Sequence, residues 1–313
     1  GAHLYEVVYD FEANDYRATP LTLYNDEASG TGTFAELAIQ RSPENYIWGV
    51  LSTGECACLL YDVREKAAAW FKFIPGDTAG GTSYVESVTV LPGTGQDRVY
   101  MSVKRTINGS TVRYIERLAK HSEARGAAVS YMADCFTYSA GSATTITAAQ
   151  LASETGLIAW ATNTDGDQVA LTGLSANGAG VVSLGGTYTN ITVGLGYDWR
   201  YKSSKLAYGA GAGTSLLMTK RVDRIGLLTQ HEHPDAISYG RDFTNVYGRP
   251  RVEKGQTVDV NAIRAMDSWT FPLGARGGAW DTDSRVCLKG SAPYPATLLS
   301  LVIDIETNED PAK

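Results

Sequence analysis

Asp97-Arg98-Val99-Tyr100-Met101-Ser102-Val103-Lys104-Arg105-Thr106-Ile107-Asn108-Gly109-Ser110-Thr111-Val112-Arg113-Tyr114-Ile115-Glu116-Arg117-Leu118 is two β-rich runs joined by Asn-Gly. That pair is the strongest short hairpin signal a sequence offers. Both central residues of a type I′ turn need positive φ, which Gly adopts freely and Asn tolerates. Upstream, residues 85–91 run into the turn Pro92-Gly93-Thr94-Gly95, so 85–91, 98–105 and 111–118 make a three-stranded meander. Before it, 46–51, 56–62 and 68–74 follow at close spacing, broken by Ser52-Thr53-Gly54-Glu55 and Val63-Arg64-Glu65-Lys66. Residues 4–11 alternate, with Tyr5, Val7 and Tyr9 on one side and Glu6, Val8 and Asp10 on the other. Two successive meanders of roughly 40 residues each read as consecutive propeller blades. Two blades close no ring, so the pattern implies further blades or a partner sheet.

The expected class is therefore all-β, with partial β-propeller-like antiparallel meanders over residues 1–131, a small β-sandwich or barrel over 132–196 and a C-terminal β region over 197–313. Residues 119–131 are small and charged and read as a linker. The middle region, rich in Thr, Ser, Gly and Ala, has strand candidates at 156–162, 168–172, 181–184 and 190–195. The final third offers strands at 197–202, 214–228, 285–289 and 296–306, with a polar stretch over 231–257 and a loop over 271–278. Residues 296–306, ATLLSLVIDIE, are nearly continuous apolar and predict an interior strand. Short helices are expected only near 148–154 and 261–266. Gly1-Ala2, in place of an initiating Met, reads as an expression scar on a larger parent.

Twenty-seven Lys and Arg against 34 Asp and Glu give a formal charge of −7 over 313 residues. No like-charge run stands out, which argues against an electrostatic grip on phosphates. Cys56 and Cys58, two apart on a strand, share a face with sulfurs poorly placed to join, and with Cys135 and Cys287 they read as reduced thiols. No apolar run reaches the ~18 residues of a membrane helix, and the start lacks a signal-peptide pattern.

Few groups invite chemistry. His231-Glu232-His233 places two imidazoles at alternate positions, as a strand-borne chelate would, but leads into Pro234 and polar residues, and a surface loop is the plainer reading. Asn163-Thr164-Asp165-Gly166-Asp167 opens like a calcium loop yet lacks the closing Glu, so a hairpin turn is expected. Asp281 and Asp283 beside Trp280 could serve as a glycosidase pair, though nothing marks a general acid. The glycine-rich 207–214 lacks the Lys-Ser/Thr of a phosphate loop. With four histidines and no recognisable triad, the reading has no catalytic, cofactor-binding or metal residue and no enzyme.

Several phrases resemble the tail nozzle (tail hub, tail tubular protein B-like) subunits of short-tailed phages. They are Glu6-Val7-Val8-Tyr9-Asp10-Phe11-Glu12, the stretch 87–118 containing the opening hairpin, Tyr201-Lys202-Ser203-Ser204-Lys205-Leu206, Lys220-Arg221-Val222-Asp223-Arg224-Ile225-Gly226-Leu227, Trp280-Asp281-Thr282-Asp283-Ser284-Arg285, and the closing 291–301. The resemblance is strongest over 84–118 and 197–308, and this chain is similar to the C-terminal part of such proteins. It implies a virion structural protein, synthesised in the bacterial host cytoplasm and self-associated in a ring, commonly of six copies, below the portal and adaptor. Genome DNA would pass through that ring without sequence-specific binding, and no membrane-spanning segment is expected. Two other readings stand beside it. One is a carbohydrate- or receptor-binding module using Trp48, Trp70, Trp160 or Trp280 as stacking platforms, of which the first three are expected in the core. The other is a glycan hydrolase using Asp281 and Asp283.

Overall fold

The computed structural model describes residues 1–23, 30, 32–65, 67–77, 83–125, 129–207, 215–249, 252–253, 256–257, 263–272 and 280–308. The protein is all-β, built from small antiparallel sheets in a propeller-like arrangement, as the turn pattern predicts. Two compact units emerge, Gly1–Lys120 with Leu151–Glu154, and His121–Gln150 with Thr155–Lys313. The division falls inside the residues read as a linker, after Lys120, and Tyr131 stacks on Phe136 at 4.7 Å, which ties the rest of that segment to the second unit.

Unit 1 opens with a ribbon of β1 (Tyr5–Asp10) and β2 (Asp15–Pro20). A four-stranded meander follows, β3 (Phe34–Gln40), β4 (Tyr46–Leu51), β5 (Cys56–Asp62) and β6 (Ala67–Phe73), then a three-stranded one, β7 (Tyr84–Leu91), β8 (Arg98–Ile107) and β9 (Ser110–Arg117). Asn108 and Gly109 sit at φ 45° and 73°, the backbone a type I′ turn requires. The meanders meet face to face. Trp48, Val50, Cys56 and Cys58 of the first pack with Val85, Val88, Val99, Met101 and Val103 of the second. β2 and β3 were not legible as strands: DYRATP is polar and ends in Pro, acceptable only on a ribbon edge.

Buried polar anchors tie the loops to these sheets. Arg105 lies on the core side of β8 and donates to both carboxylate oxygens of Glu116 at 2.7 Å, to Ser83 Oγ at 3.2 Å and to the carbonyl of Gly76. Asp97 accepts the backbone N–H groups of Arg41 and Ser42 at 2.9 and 3.2 Å, joining the turns of the two meanders. Glu154, from the 151–154 segment, accepts the N–H of Asn108 at 2.6 Å.

In unit 2, β10 (Asp134–Ser139), β11 (Ala143–Thr147), β12 (Thr155–Thr162), β13 (Gln168–Ser175) and β14 (Val181–Leu195) form a five-stranded sheet in the small middle region. β14, expected as two strands, is one. Its first half pairs with β11, with Gly185 at φ 75° inside the register shift between Ser183 and Tyr188, and its second half pairs with β10 and β12. The helix expected near 148–154 is a single 3₁₀ turn, Ala149–Leu151.

The C-terminal region is β15 (Asp198–Lys202), β16 (Lys220–Glu232), β17 (Ser238–Gly240), β18 (Val246–Gly248), β19 (Val252–Glu253), β20 (Gln256–Thr257), β21 (Arg264–Pro272), β22 (Cys287–Ser291) and β23 (Thr297–Thr307). The sheet β15-β22-β17-β18 and the sheet β21-β16-β23 share a core of Val222, Ile225, Leu227, Ile237, Tyr239, Val286 and Leu288. Two earlier expectations change here. Residues 264–266, read as helix, begin β21 because they pair with β16, while 261–262 lie outside the described residues. β23, read as an interior strand, is an edge: Leu301, Ile303 and Ile305 pack inward while Leu299 and Val302 face out.

Removing Glu116 takes the carboxylate from a guanidinium that is 1% exposed, while Ser83 and the Gly76 carbonyl remain beside it. Glu116→Ala should destabilise unit 1 by roughly 3 kcal/mol, and Arg105→Leu combined with Glu116→Leu should recover most of that. Urea unfolding checks this as a lowered midpoint with unchanged slope.

Candidate functional site

The groups singled out for chemistry become structural on inspection of their partners. β16 runs through Glu232, and His231 takes a positive φ of 49°, so His231 and His233 do not alternate as a chelate would. Residues 232–233 are no surface loop, for both are buried. The His233 ring lies between Trp160 and Tyr294, with centroids at 5.8 and 4.7 Å, and its Nδ1 accepts the N–H of Asp235 at 3.1 Å. Glu232 accepts the hydroxyl of Thr229 at 2.6 Å and lies 3.8 Å from Arg249. Among the described residues no group of three His, Cys, Asp or Glu is placed to hold a metal.

Asn163–Asp167 is the turn between β12 and β13. The Asn163 side chain accepts the N–H groups of Asp165 and Asp167 at 3.0 and 2.9 Å, with Gly166 at φ 93°, so its oxygens serve the hairpin. Asp281 accepts the N–H of Asp283 at 3.1 Å, and Asp283 accepts from Arg285 at 2.9 Å. That hydrogen bond from Arg285 holds the Asp283 carboxyl below its ordinary range, the opposite of what a general acid needs. Cys56, Cys58, Cys135 and Cys287 are all free thiols, and burial pushes the Cys58 thiol up, away from nucleophilic use. Residues 208–214 of the glycine-rich stretch lie outside the described residues.

What remains is surface. The β1–β2 register pairs Tyr5 with Pro20, Val7 with Ala18 and Tyr9 with Tyr16, so one face of the ribbon is wholly apolar, and the hairpin tip adds Phe11. That face is exposed, with Val7 61% and Phe11 87% accessible, and Tyr9 packs edge-on against both Phe11 and Tyr16 at 4.9 and 5.3 Å; Val8 on the opposite face is 51% exposed as well. Glu6, on the opposite face, lies close enough to Tyr61 of β5 to raise its phenol pKa. Sequence alternation found the two faces and gave no sign of which one meets the body.

No known family matches the sequence, and no curated protein matches it. Among solved structures, an exo-inulinase from Aspergillus awamori shares 10% identity over 85% of this chain and 64% of its own, at a TM-score of 0.16. A likeness that slight carries no argument about fold or activity.

Of the tryptophans, Trp48 and Trp160 are buried, and Trp70 is half-buried with its Nε1 donating to the Leu21 carbonyl at 3.1 Å. Trp280 is 47% exposed, with the Arg221 guanidinium 5.5 Å from its ring. The core placement expected for the first three holds for Trp48 and Trp160, while Trp70 sits half-buried on the mostly exposed strand β6.

The Tyr61–Glu6 contact gives the ribbon's orientation a pH test. Burial first, then the hydrogen bond and charge of Glu6, push the Tyr61 phenol from 10.0 to about 12. A folded-state pKa above the unfolded one contributes stability that is complete below pH 10 and lost as pH rises towards 12. Phenolate absorbance should show a tyrosine titrating near 12, ahead of the still higher Tyr197 phenol that burial pushes up. Tyr61→Phe should remove that step, and Glu6→Gln should move it down.

Proposed function

We propose that this chain is a structural wall subunit of a phage tail, of the nozzle or hub type, forming part of a ring around the channel by which DNA leaves. The observation that carries the reading is the outward apolar face of the β1–β2 ribbon. A lone two-stranded ribbon is marginal in water, and one that turns its aromatic side to solvent is built to be covered by another subunit. That Glu232, His233, Asn163, Asp281 and Asp283 serve turns, anchors or core contacts supports a scaffold role. The phrases shared with nozzle subunits supply the phage setting, and the formal charge of −7 suits a wall along which DNA slides. Immunogold labelling and mass spectrometry of virions from the encoding phage test it: label at the tail end is expected, and virions lacking the chain would overturn it.

A second reading, a carbohydrate- or receptor-binding module, is favoured by one observation, the exposed Trp280 ring with Arg221 over it and Asp281 and Asp283 alongside. On a glycan array it predicts reproducible binding that Trp280→Ala abolishes. Binding that survives this change would remove Trp280 as the platform.

A further inference from the structure

Two of the sheet surfaces that unit 1 leaves open carry opposite charges. The first is the ribbon. Its apolar outer face, Tyr5, Val7, Tyr9, Phe11 and Tyr16, is rimmed by Asp10, Glu12 and Asp15, and with Glu6 the ribbon carries four carboxylates against the single guanidinium of Arg17. The second is the face of β7-β8-β9 turned away from the core. Alternation along β8 sends Val99, Met101, Val103 and Arg105 inward and leaves Tyr100, Ser102 and Lys104 on the other side. Register places Arg117 opposite Tyr100, Ile115 opposite Ser102 and Arg113 opposite Lys104.

That second face is the mirror of the first in chemistry. Ile115 stands 84% exposed near its middle, where an isolated branched aliphatic on an edge strand gains nothing from water. Around it are Arg98, Lys104, Arg113 and Arg117, against the one carboxylate of Glu86, which Arg113 engages at 2.7 Å. Lys104 already lies 5.6 Å over the Tyr84 ring, so cations on this face take aromatic company.

We propose that the β1–β2 ribbon of one copy docks on the outer face of β7-β8-β9 of a second copy. Ribbon against ribbon would set carboxylates against carboxylates, and the basic face against itself would repel as well. The pairing of acidic rim with basic rim is therefore head-to-tail. Two different patches on each copy make the contact heterologous, the kind that propagates into a ring when the rotation closes. The inference rests on the wall reading for its biological setting, while the contact itself stands on the two surfaces.

Sedimentation velocity of the 313-residue chain across the micromolar range tests it. Self-association that weakens as salt is raised is expected. Phe11→Asp and Ile115→Asp, both at exposed positions, should keep the unfolding midpoint and each weaken association roughly tenfold or more. An equal mixture of the two variants should form a dimer and stop there, because one brings an intact basic face and the other an intact ribbon. Val7→Asp and Lys104→Glu replace them should a first variant lose its fold. A parent monomeric at every concentration, variants that assemble like the parent, or a mixture no better than either variant alone would each overturn the proposal. Tail-located label on virions combined with such a failure leaves the wall reading to another surface. Dimers from the mixture without any label sink the wall reading and keep the contact.

Discussion

A β-sheet hides an apolar face only when something flat and apolar covers it, and that constraint organises this molecule. In unit 1 the covering is reciprocal: Trp48, Val50, Cys56 and Cys58 on one meander lie against Val85, Val88, Val99, Met101 and Val103 on the next. Each such side chain contributes about 1.5–3 kcal/mol when taken fully from water, so this shared layer outweighs any single polar contact around it. In the C-terminal region the same rule joins β16 to β17 and β22 through Val222, Ile225, Leu227, Ile237, Tyr239 and Leu288. The β1–β2 ribbon departs from this rule, leaving Tyr5, Val7, Phe11 and Tyr16 exposed.

Polar groups inside such a framework are affordable only when paired, and the pairs found here hold loops rather than substrates. Arg105 gathers Glu116, Ser83 and Gly76; Asp97 collects two backbone donors; Lys220 donates to the carbonyls of Met218 and Thr282 at 3.2 and 3.3 Å. His233 belongs to the same class, an imidazole between two aromatic rings whose acceptor nitrogen is spent on a backbone N–H. A side chain whose lone pairs and faces are all engaged in packing has little left to offer a reacting molecule.

Antiparallel pairing also decides where the open edges fall. β9 and β23 each close a three-stranded sheet, and both carry outward apolar side chains, Ile115 on the first and Leu299 and Val302 on the second. An edge strand with such residues invites pairing and is normally blunted by charge. Arg113 and Arg117 flank Ile115 on β9, whereas Asp304 and Glu306 follow the apolar stretch of β23. Those flanking charges blunt the two edges with opposite signs.

Local chemistry alone determined the all-β class, the two meanders and their turns, because alternation with period two and the positive φ of Asn108-Gly109 are written in neighbouring residues. It determined equally that Asn163–Asp167 makes a turn, since the closing carboxylate of a calcium loop is missing from the chain itself. Tertiary structure alone decided that Glu6 meets Tyr61, that 297–307 is an edge, and that His233 is buried. In each case the deciding partner lies far along the chain: Tyr61 for Glu6, β16 for β23, Trp160 and Tyr294 for His233. Periodicity names the faces of a strand, but only the sheet that arrives from elsewhere decides which of them meets water.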